Sequence, residues 1–201
     1  MNKAHYLFRT YGQLTLGEKS KQLKQNPLTF WIPGLSGSGK STLAYALESH
    51  LFNNNIKVAV LDGDNLRHGI NQDLDFSHTS RSEAIRRTAE IAKILNDAGL
   101  VVIVSLISPF LVERANAKLI IGQQQFVEIY MNTPLEVCEA RDVKGIYQKA
   151  RRGELDNFTG VSSPYESPLY PDFSINAAQS HPLKEAEEIF SLTRTRILEP
   201  S

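Results

Sequence analysis

The sequence predicts an α/β protein in which a parallel sheet of five strands is flanked by helices. Two observations predict this fold: short apolar runs alternate with amphipathic segments along most of the chain, and a glycine-rich loop joins the first apolar run to the first long amphipathic segment. Strands that alternate with helices form parallel sheets covered on both faces. The 201 residues are enough for one domain with a substantial core and too few for two typical domains.

The strands are expected where short apolar runs are bounded by loop residues. In chain order these runs are PLTFWIP, IKVAVLD, LVVIVSLI, QFVEIYMN and DFSIN; the first two are expected to be buried strands, and the last is expected to be short. The helices are expected where apolar residues recur at spacings of three and four. These segments are KSTLAYALESHLF, RSEAIRRTAEIAKILNDAG, ERANAKLII, PLEVCEAR and PLKEAEEIFSLTRTRIL. Gly99 should end the longest helix, and a proline should start PLEVCEAR.

Two regions stand apart from this alternation. Residues 1–26 are polar and predict an N-terminal arm with a short helix around Leu16–Leu23, leaving residues 27–201 as the domain. Residues 144–172 are weakly periodic and rich in Lys, Arg, Gly, Ser and Pro. A loop of that length in a compact domain is usually functional or disordered. Its basic residues favour a lid that closes over phosphates, and a solvated basic loop is the alternative.

Composition excludes several classes of protein. The 22 basic and 22 acidic residues balance, which gives no sign of a partner nucleic acid or membrane surface. The single cysteine, Cys138, cannot form an intrachain disulfide and suits a reducing compartment. No apolar run approaches the roughly 20 residues of a spanning helix, and the N-terminus lacks the apolar core of a signal peptide. We therefore expect a cytoplasmic protein.

The glycine-rich loop carries the first chemical signal. GLSGSGKST, at Gly34–Thr42, matches the G-x-x-x-x-G-K-[ST] pattern and stands between a predicted strand and a predicted helix, as the phosphate loop of P-loop nucleotide-binding proteins requires. Its backbone N–H groups and the helix N-terminus should hold the phosphates of ATP. Lys40 should reach the β- and γ-phosphates, and Ser41 should hold Mg²⁺. The expected nucleotide-binding residues are Gly34, Ser36, Gly37, Ser38, Gly39, Lys40, Ser41 and Thr42.

A second signal follows the second strand, in VAVLDGDNLRHG. Asp62 and Asp64 stand at the carboxyl end of that strand, where ligands bind in open parallel sheets. Either carboxylate could hold Mg²⁺ or take a proton from an attacking hydroxyl, and Arg67 could clamp an anionic group. A structural alternative is that Asp62 only caps the following helix.

Further polar and aromatic residues are candidates for an acceptor site. Phe76 could stack on a base, and Arg81, Arg86 and Arg87 could face the same anion, although the last two suit an ordinary solvated helix face equally well. Ser105 or Ser108, after the third strand, could meet an acceptor hydroxyl. A local hydrogen bond to the backbone is the commoner role for such a serine.

Taken together, these motifs make the chain similar to adenylylsulfate kinase (APS kinase). The similarity rests on GLSGSGKST, DGDNLRHG, AGLVVIVSLISPF and TPLEVCEARDVKGIYQKAR, followed by GEL, NFTGV and SPYE, in order from about residue 28 to 172. The resemblance implies ATP-dependent phosphorylation of the 3′-hydroxyl of adenosine 5′-phosphosulfate (APS) to give PAPS in sulfate assimilation. It also implies Mg²⁺, a nucleotide-kinase fold and a homodimer.

The resemblance also assigns roles to individual residues. It implies that Lys40, Asp62, Asp64 and Ser108 are catalytic, that Ser41 and Asp64 organise the metal, and that Phe76 and Phe158 sandwich the acceptor's adenine. Ser108 occupies the position of a serine that is phosphorylated in some family members. The implied acceptor pocket consists of Asp64, Asn65, Arg67, Phe76, Arg81, Ile107, Ser108, Lys144, Asn157 and Phe158.

The sequence departs from the family pattern around the acceptor pocket. Ser80 and Ala84 replace an aspartate and an asparagine, and Asp75 replaces a glycine before the stacking phenylalanine. The loss of one neutral hydrogen bond costs about 0.5–1.5 kcal/mol, which weakens binding without abolishing it. Two alternatives therefore stay open: a related kinase for another nucleotide with an anionic tail, and a nucleotide-binding regulatory protein without turnover.

Overall fold

The computed structural model describes residues 8, 10 and 12–198, and it confirms the predicted α/β class. Five strands form one parallel sheet in the order β2-β3-β1-β4-β5. The strands are β1 (Thr29–Ile32), β2 (Val58–Asp62), β3 (Val101–Ser105), β4 (Phe126–Met131) and β5 (Phe173–Ile175). The helices are α1 (Leu16–Leu23), α2 (Lys40–Asn53), α3 (Gly63–Arg67), α4 (His78–Asp97), α5 (Leu111–Ile121), α6 (Leu135–Arg141), α7 (Ile146–Arg151) and α8 (Pro182–Leu198).

Helices cover both faces of the sheet because alternate strand residues point to opposite sides. On one face, α2 and α8 pack over Phe30 and Ile32 of β1. On the other face, α4 and α5 pack over Trp31 and Val104. All four side chains are fully buried. The fold therefore has two apolar layers, and the ends of the strands are left to carry the polar site.

Strand β2 differs from its prediction as a buried strand. It lies at one edge of the sheet and pairs only with β3, so Val58, Ala59, Val60 and Leu61 are half-buried. Apolar composition alone does not distinguish a central strand from an edge strand, because both need one covered face. Its last residue, Asp62, is nevertheless buried.

The strand register brings the predicted site residues to one edge of the sheet. Asp62 of β2 and Ile32 of β1 are both level with Ser105 of β3. The glycine-rich loop follows β1, and α3 follows β2. The phosphate loop, the Asp62 carboxylate and the end of β3 therefore meet at the carboxyl edge of three strands.

Part of the predicted N-terminal arm packs on the domain. Helix α1 is present with the predicted bounds and begins with a capping box between Thr15 and Glu18. The Lys19 ammonium donates to the carbonyl of Asp97 at the end of α4. Gln25 is fully buried, and its amide donates to the carbonyls of Lys57 and Gly99. The remainder of the predicted arm, residues 1–7, 9 and 11, lies outside the described residues.

The region predicted as a lid has two parts in the structure. Its first part contains α7, which is too short to show a periodicity in the sequence, and residues up to Thr159 line the central cavity. Its later part is tied to the start of α5, since the Glu166 N–H donates to the Pro109 carbonyl and the Glu166 carboxylate accepts from the Leu111 N–H. The covering role is thus available only to the first part.

Among the helices of residues 12–198, none combines the length and the apolarity that a membrane span needs.

We predict that Gln25→Leu lowers the free energy of unfolding by about 2–3 kcal/mol, because the buried Lys57 and Gly99 carbonyls lose their donors and the Lys57 N–H loses its acceptor. Urea denaturation followed by circular dichroism measures the change. Gln124→Leu is the matched control, because Gln124 is exposed and its replacement should change stability by no more than about 0.5 kcal/mol. Equal effects of the two substitutions would contradict the assigned role.

Candidate active site

A cavity of about 1140 Å³ opens at the carboxyl edge of the sheet. Its walls come from the phosphate loop, the ends of β2 and β3, the start of α4 and residues 141–159. Most predicted site residues line it: Ser36, Gly37, Gly39, Lys40, Ser41, Thr42, Asp62, Asp64, Arg67, Phe76, Arg81, Ile107, Ser108, Lys144, Asn157 and Phe158. The cavity therefore brings together the phosphate loop and the Asp62–Asp64 motif, which begins 20 residues after that loop ends.

Two loop glycines are required by both conformation and space. Gly37 and Gly39 have left-handed φ values of 72° and 98°. A Cβ at Gly37 would lie 3.0 Å from the Cys138 carbonyl oxygen, and one at Gly39 would lie 3.0 Å from the Ala177 Cβ. A larger residue would strain the backbone and push the loop away from its neighbours. The glycines thus let the loop turn tightly into α2.

Four consecutive loop carbonyls are bound from outside the loop or by its own lysine. The carbonyls of residues 35–38 accept hydrogen bonds from side chains over distances of 2.6–3.2 Å. In chain order the donors are the Lys40 ammonium, the Tyr147 hydroxyl, the Arg141 guanidinium and the Thr133 hydroxyl. This arrangement fixes the carbonyl dipoles and leaves the start of α2, which no described side chain caps, to receive an anion.

Lys40 is the one basic residue of the phosphate loop, and the pKa of its ammonium is strongly shifted. Burial lowers the pKa of its ammonium to about 8, and the carboxylates of Asp62 and Asp64 only partly offset this effect. Its Nζ donates to the Leu35 carbonyl at 2.6 Å. A partly buried ammonium whose one hydrogen-bond partner is neutral is electrostatically under-compensated, so a phosphate placed beside it would be favoured.

Ser41 and Asp62 form the oxygen cluster of the site. The Ser41 hydroxyl donates to the Asp62 Oδ2 at 2.7 Å and lies 3.3 Å from the Ser105 hydroxyl. Mg²⁺ prefers such oxygen ligands, and it usually takes few from the protein because phosphates and waters complete its shell. The cluster fits Mg²⁺.

The two aspartates have separate partners. The second Asp62 oxygen, Oδ1, accepts from the Asp64 N–H at 3.0 Å, so Asp62 also caps α3 as the structural alternative proposed. The Asp64 carboxylate is exposed and pairs with the Lys144 ammonium across the cavity. The sequence-based assignment paired Ser41 with Asp64 as metal ligands, whereas the structure pairs Ser41 with Asp62.

Two arginines give the other end of the cavity its positive charge. Arg67 lies over the Phe76 ring, with 4.1 Å between its Cζ and the ring centroid, and donates to the carbonyls of Leu74 and Asp75. Burial, and secondly the positive charge of Arg67, lowers the pKa of Arg81. Two half-buried guanidinium groups that repel each other form a site for an anion.

Residues 141–159 cover this end of the cavity and are held there by polar contacts. The Arg81 guanidinium donates to the Thr159 hydroxyl at 3.0 Å, and Lys144 reaches Asp64 from the same cover. The Phe158 ring meets the Tyr147 ring edge-on at 5.0 Å. Phe76, which is 63 % exposed, lines the same cavity and presents a free aromatic surface. The cover therefore supplies one aromatic ring to the cavity, Phe158, and the segment before α4 supplies another, Phe76.

Ser108 is buried deeply for a proposed catalytic group. It is 2 % exposed, and its hydroxyl accepts a hydrogen bond of 3.1 Å from the Trp31 indole. Trp31 lies in an apolar run that predicts only packing for it, so the sequence gives no sign of this bond. No sequence periodicity could have revealed it, because the partners are 77 positions apart.

Several predicted residues lie outside the cavity wall. Asn65 donates to the Tyr45 hydroxyl, because on the single turn of α3 it faces away from Asp64 and Arg67. Arg86 and Arg87 pair with acidic neighbours, including Glu83, as the solvated-face alternative proposed. Gly34 and Ser38 are the two predicted phosphate-binding residues that do not line the cavity, and the Ser38 hydroxyl is buried.

Three supporting residues were not predicted: Thr133, Arg141 and Tyr147, which bind the loop carbonyls. Arg141 also donates to the Ala177 carbonyl at 2.8 Å and so joins α6 to the segment before α8. Their only sequence signal is that all three fall within the stretch TPLEVCEARDVKGIYQKAR that supports the resemblance, which gives no information about the atoms they contact.

Comparisons with known proteins agree with this geometry. The family model for adenylylsulphate kinase matches residues 26–176. The adenylyl-sulfate kinase of Geotalea daltonii is 45 % identical over 183 residues, covering 91 % of this chain and 90 % of that protein. The adenylyl-sulfate kinase of Shewanella pealeana is 51 % identical over 161 residues, covering 80 % and 78 % respectively.

A solved structure gives the same answer for the fold. The Mycobacterium tuberculosis APS kinase CysC, in complex with AMPPNP and APS, superposes with a TM-score of 0.81 at 43 % identity, covering 84 % of this chain and 98 % of that one. The family model spans three quarters of the sequence, and the two relatives match over 90 % and 78 % of their own lengths. The chain belongs to the adenylylsulphate kinase family.

Proposed function

We propose that this protein transfers the γ-phosphoryl group of ATP to the 3′-hydroxyl of APS, which yields ADP and PAPS in sulfate assimilation. One observation carries the proposal: the phosphate loop with its Ser41–Asp62 pair and the anion site of Arg67 and Arg81 lie on the walls of a single cavity. A kinase for a small anionic nucleotide needs both sites within reach of each other.

The donor half of the cavity is the phosphate loop. Lys40 and the start of α2 would bind the donor's phosphates, and the cover would keep water away from them. Ser41 and Asp62 would hold Mg²⁺, which neutralises charge on the transferring phosphoryl group when bound. The family resemblance adds Asp64 to these ligands, and the distance from Ser41 to Asp62 favours Asp62.

The acceptor half would bind APS through charge and stacking. Arg67 and Arg81 would hold the phosphosulfate, because guanidinium groups pair with such anions in a forked geometry. Phe76 and Phe158 would stack on the adenine, and Ile107, Ser108, Lys144 and Asn157 would complete the walls. Asn65 does not contribute in this arrangement.

The transfer itself would be direct. Asp64 would orient the 3′-hydroxyl and accept its proton once Lys144 releases the carboxylate to the substrates. Positioning and charge neutralisation outweigh proton removal in loose phosphoryl-transfer transition states. Ser108 would contact the acceptor and would not itself carry the phosphoryl group, since its hydroxyl is buried and accepts a hydrogen bond from the Trp31 indole.

We also propose that the protein is a homodimer and that it is cytoplasmic. The homodimer rests on the family resemblance alone. The cytoplasmic location rests on the single free cysteine, Cys138. Sedimentation equilibrium would report the assembly, and a monomer at micromolar concentration would refute the first part. Fractionation of cells would locate the protein, and its recovery outside the cytoplasm would refute the second.

The test of function is an assay of the purified protein with ATP, Mg²⁺ and APS, with PAPS measured by chromatography. Turnover that depends on all three supports the proposal. Phosphorylation of another nucleotide with an anionic tail, but not of APS, would show the related kinase instead. Tight nucleotide binding without transfer to any acceptor would show a regulatory protein.

We predict that Asp62→Asn raises the Mg²⁺ concentration for half-maximal activity at least about tenfold, because a charged ligand is replaced by a neutral one. The asparagine can still cap α3, so the fold should be retained. Asp64→Asn is the matched variant: it should lower kcat with a smaller change in the Mg²⁺ requirement. The opposite pattern would make Asp64 the principal ligand.

We also predict that ADP binding at pH 8 takes up as much as about half a proton, because Lys40 is about half protonated in the free protein and the bound phosphates raise its pKa. Above pH 8 the affinity for ADP should fall as the free ammonium loses its proton. Calorimetry in two buffers of different ionisation enthalpy measures the uptake. Lys40→Arg should abolish it, since arginine stays charged; equal uptake in both proteins would identify another group.

A further inference from the structure

The turn at Ile107–Pro109, here called the acceptor turn, has a backbone conformation that must be imposed. Ser108 has a left-handed φ of 42°, which residues other than glycine rarely adopt. Ile107 and Ser108 both line the cavity. Such a conformation persists only where the surrounding structure holds it.

Arg114 of α5 is the main group that holds the acceptor turn. It is 3 % exposed, and its Nη1 donates to the Ser108 carbonyl at 2.7 Å. Its Nη2 donates to the Glu166 carbonyl at 2.6 Å, and its Nε lies 2.9 Å from the Glu128 carboxylate. One buried guanidinium therefore joins the acceptor turn, the segment after the cover and strand β4.

Other contacts fix the remaining atoms of the acceptor turn. The Trp31 indole N–H donates a hydrogen bond of 3.1 Å to the Ser108 hydroxyl. The Ile107 carbonyl accepts from the Gly34 N–H at 3.3 Å, and the Pro109 carbonyl accepts from the Glu166 N–H at 2.8 Å. All three carbonyls of the turn are thus bound, and one of the bonds reaches the phosphate loop.

We infer that Arg114 and Trp31 are positioning residues for the phosphoryl acceptor: they hold the acceptor turn in its left-handed conformation so that Ile107 and Ser108 contact the acceptor. The inference deepens the proposed function and rests on it. Neither side chain lines the cavity, so both act through Ser108.

The chemistry of Arg114 favours this role over a purely structural one. A buried ion pair is often no more stabilising than apolar residues of similar size. A guanidinium, unlike an ammonium, can donate to two separated carbonyls while it faces a carboxylate. The arrangement is therefore suited to geometric control of two chain segments.

Arg114→Lys tests the contacts of the guanidinium with the Ser108 and Glu166 carbonyls. A lysine keeps the positive charge beside Glu128 but cannot span both carbonyls. We expect the KM for APS to rise about tenfold, the loss from one charge-assisted hydrogen bond, with the KM for ATP changed by less than about twofold. Glu128→Gln is the control: it removes the buried charge partner and lowers Tm, but the carbonyl contacts remain and the KM for APS should stay within about twofold.

Trp31→Phe tests the second contact if Arg114→Lys does not fold. It removes the indole donor and keeps an aromatic ring, and we expect the KM for APS to rise about threefold with the KM for ATP unchanged. Phe126→Leu is its control, because Phe126 stacks on Trp31 at 5.8 Å between ring centroids and its side chain has no group that could hydrogen-bond to Ser108. That variant should lose stability with the KM for APS unchanged.

Trp31 also provides a direct signal, because it is the single tryptophan of the chain. APS binding should change its emission in the unsubstituted protein, and Arg114→Lys should shift that titration to about tenfold higher APS. Absent turnover by the unsubstituted enzyme would overturn the proposed function. Normal turnover with an unmoved emission, or variants and controls with equal KM values for APS, would overturn the inference.

Discussion

The active site depends on one constraint: the backbone carbonyl groups of the phosphate loop must be held in fixed directions by hydrogen bonds. Side-chain donors bind the carbonyls of residues 35–38 one after another. A peptide whose carbonyl is fixed cannot rotate freely, so its N–H direction is fixed as well. The electrostatic environment for a phosphate is therefore built into the protein before any ligand arrives, which lowers the reorganisation that binding requires.

The parallel sheet makes the second half of the site possible. Because β3 lies between β1 and β2, the segments that follow all three strands meet at one edge. The first contributes the phosphate loop, the second Asp62 and α3, and the third the acceptor turn. Each of these segments carries a different chemical task, and the hydrogen bond from Gly34 to Ile107 joins the donor and acceptor walls directly.

The sequence predicted the fold and much of the cavity because those features have local signals. The phosphate loop is a contiguous pattern between a strand and a helix, and Asp62 and Asp64 follow a strand whose end must face it. The pairing of Ser41 with Asp62 was not predictable, since it depends on which of two neighbouring carboxylates lies beside the first turn of α2. The support by Arg141 and Trp31 was also not predictable, because these bonds join residues 104 and 77 positions apart.

The Tyr147 hydroxyl lies on the cover and binds the Ser36 carbonyl of the phosphate loop. If α7 swings outward, that hydrogen bond is broken at the same moment as the lid opens. Product release and loosening of the phosphate loop would then be coupled, because one outward movement of α7 would both uncover the cavity and free the Ser36 carbonyl.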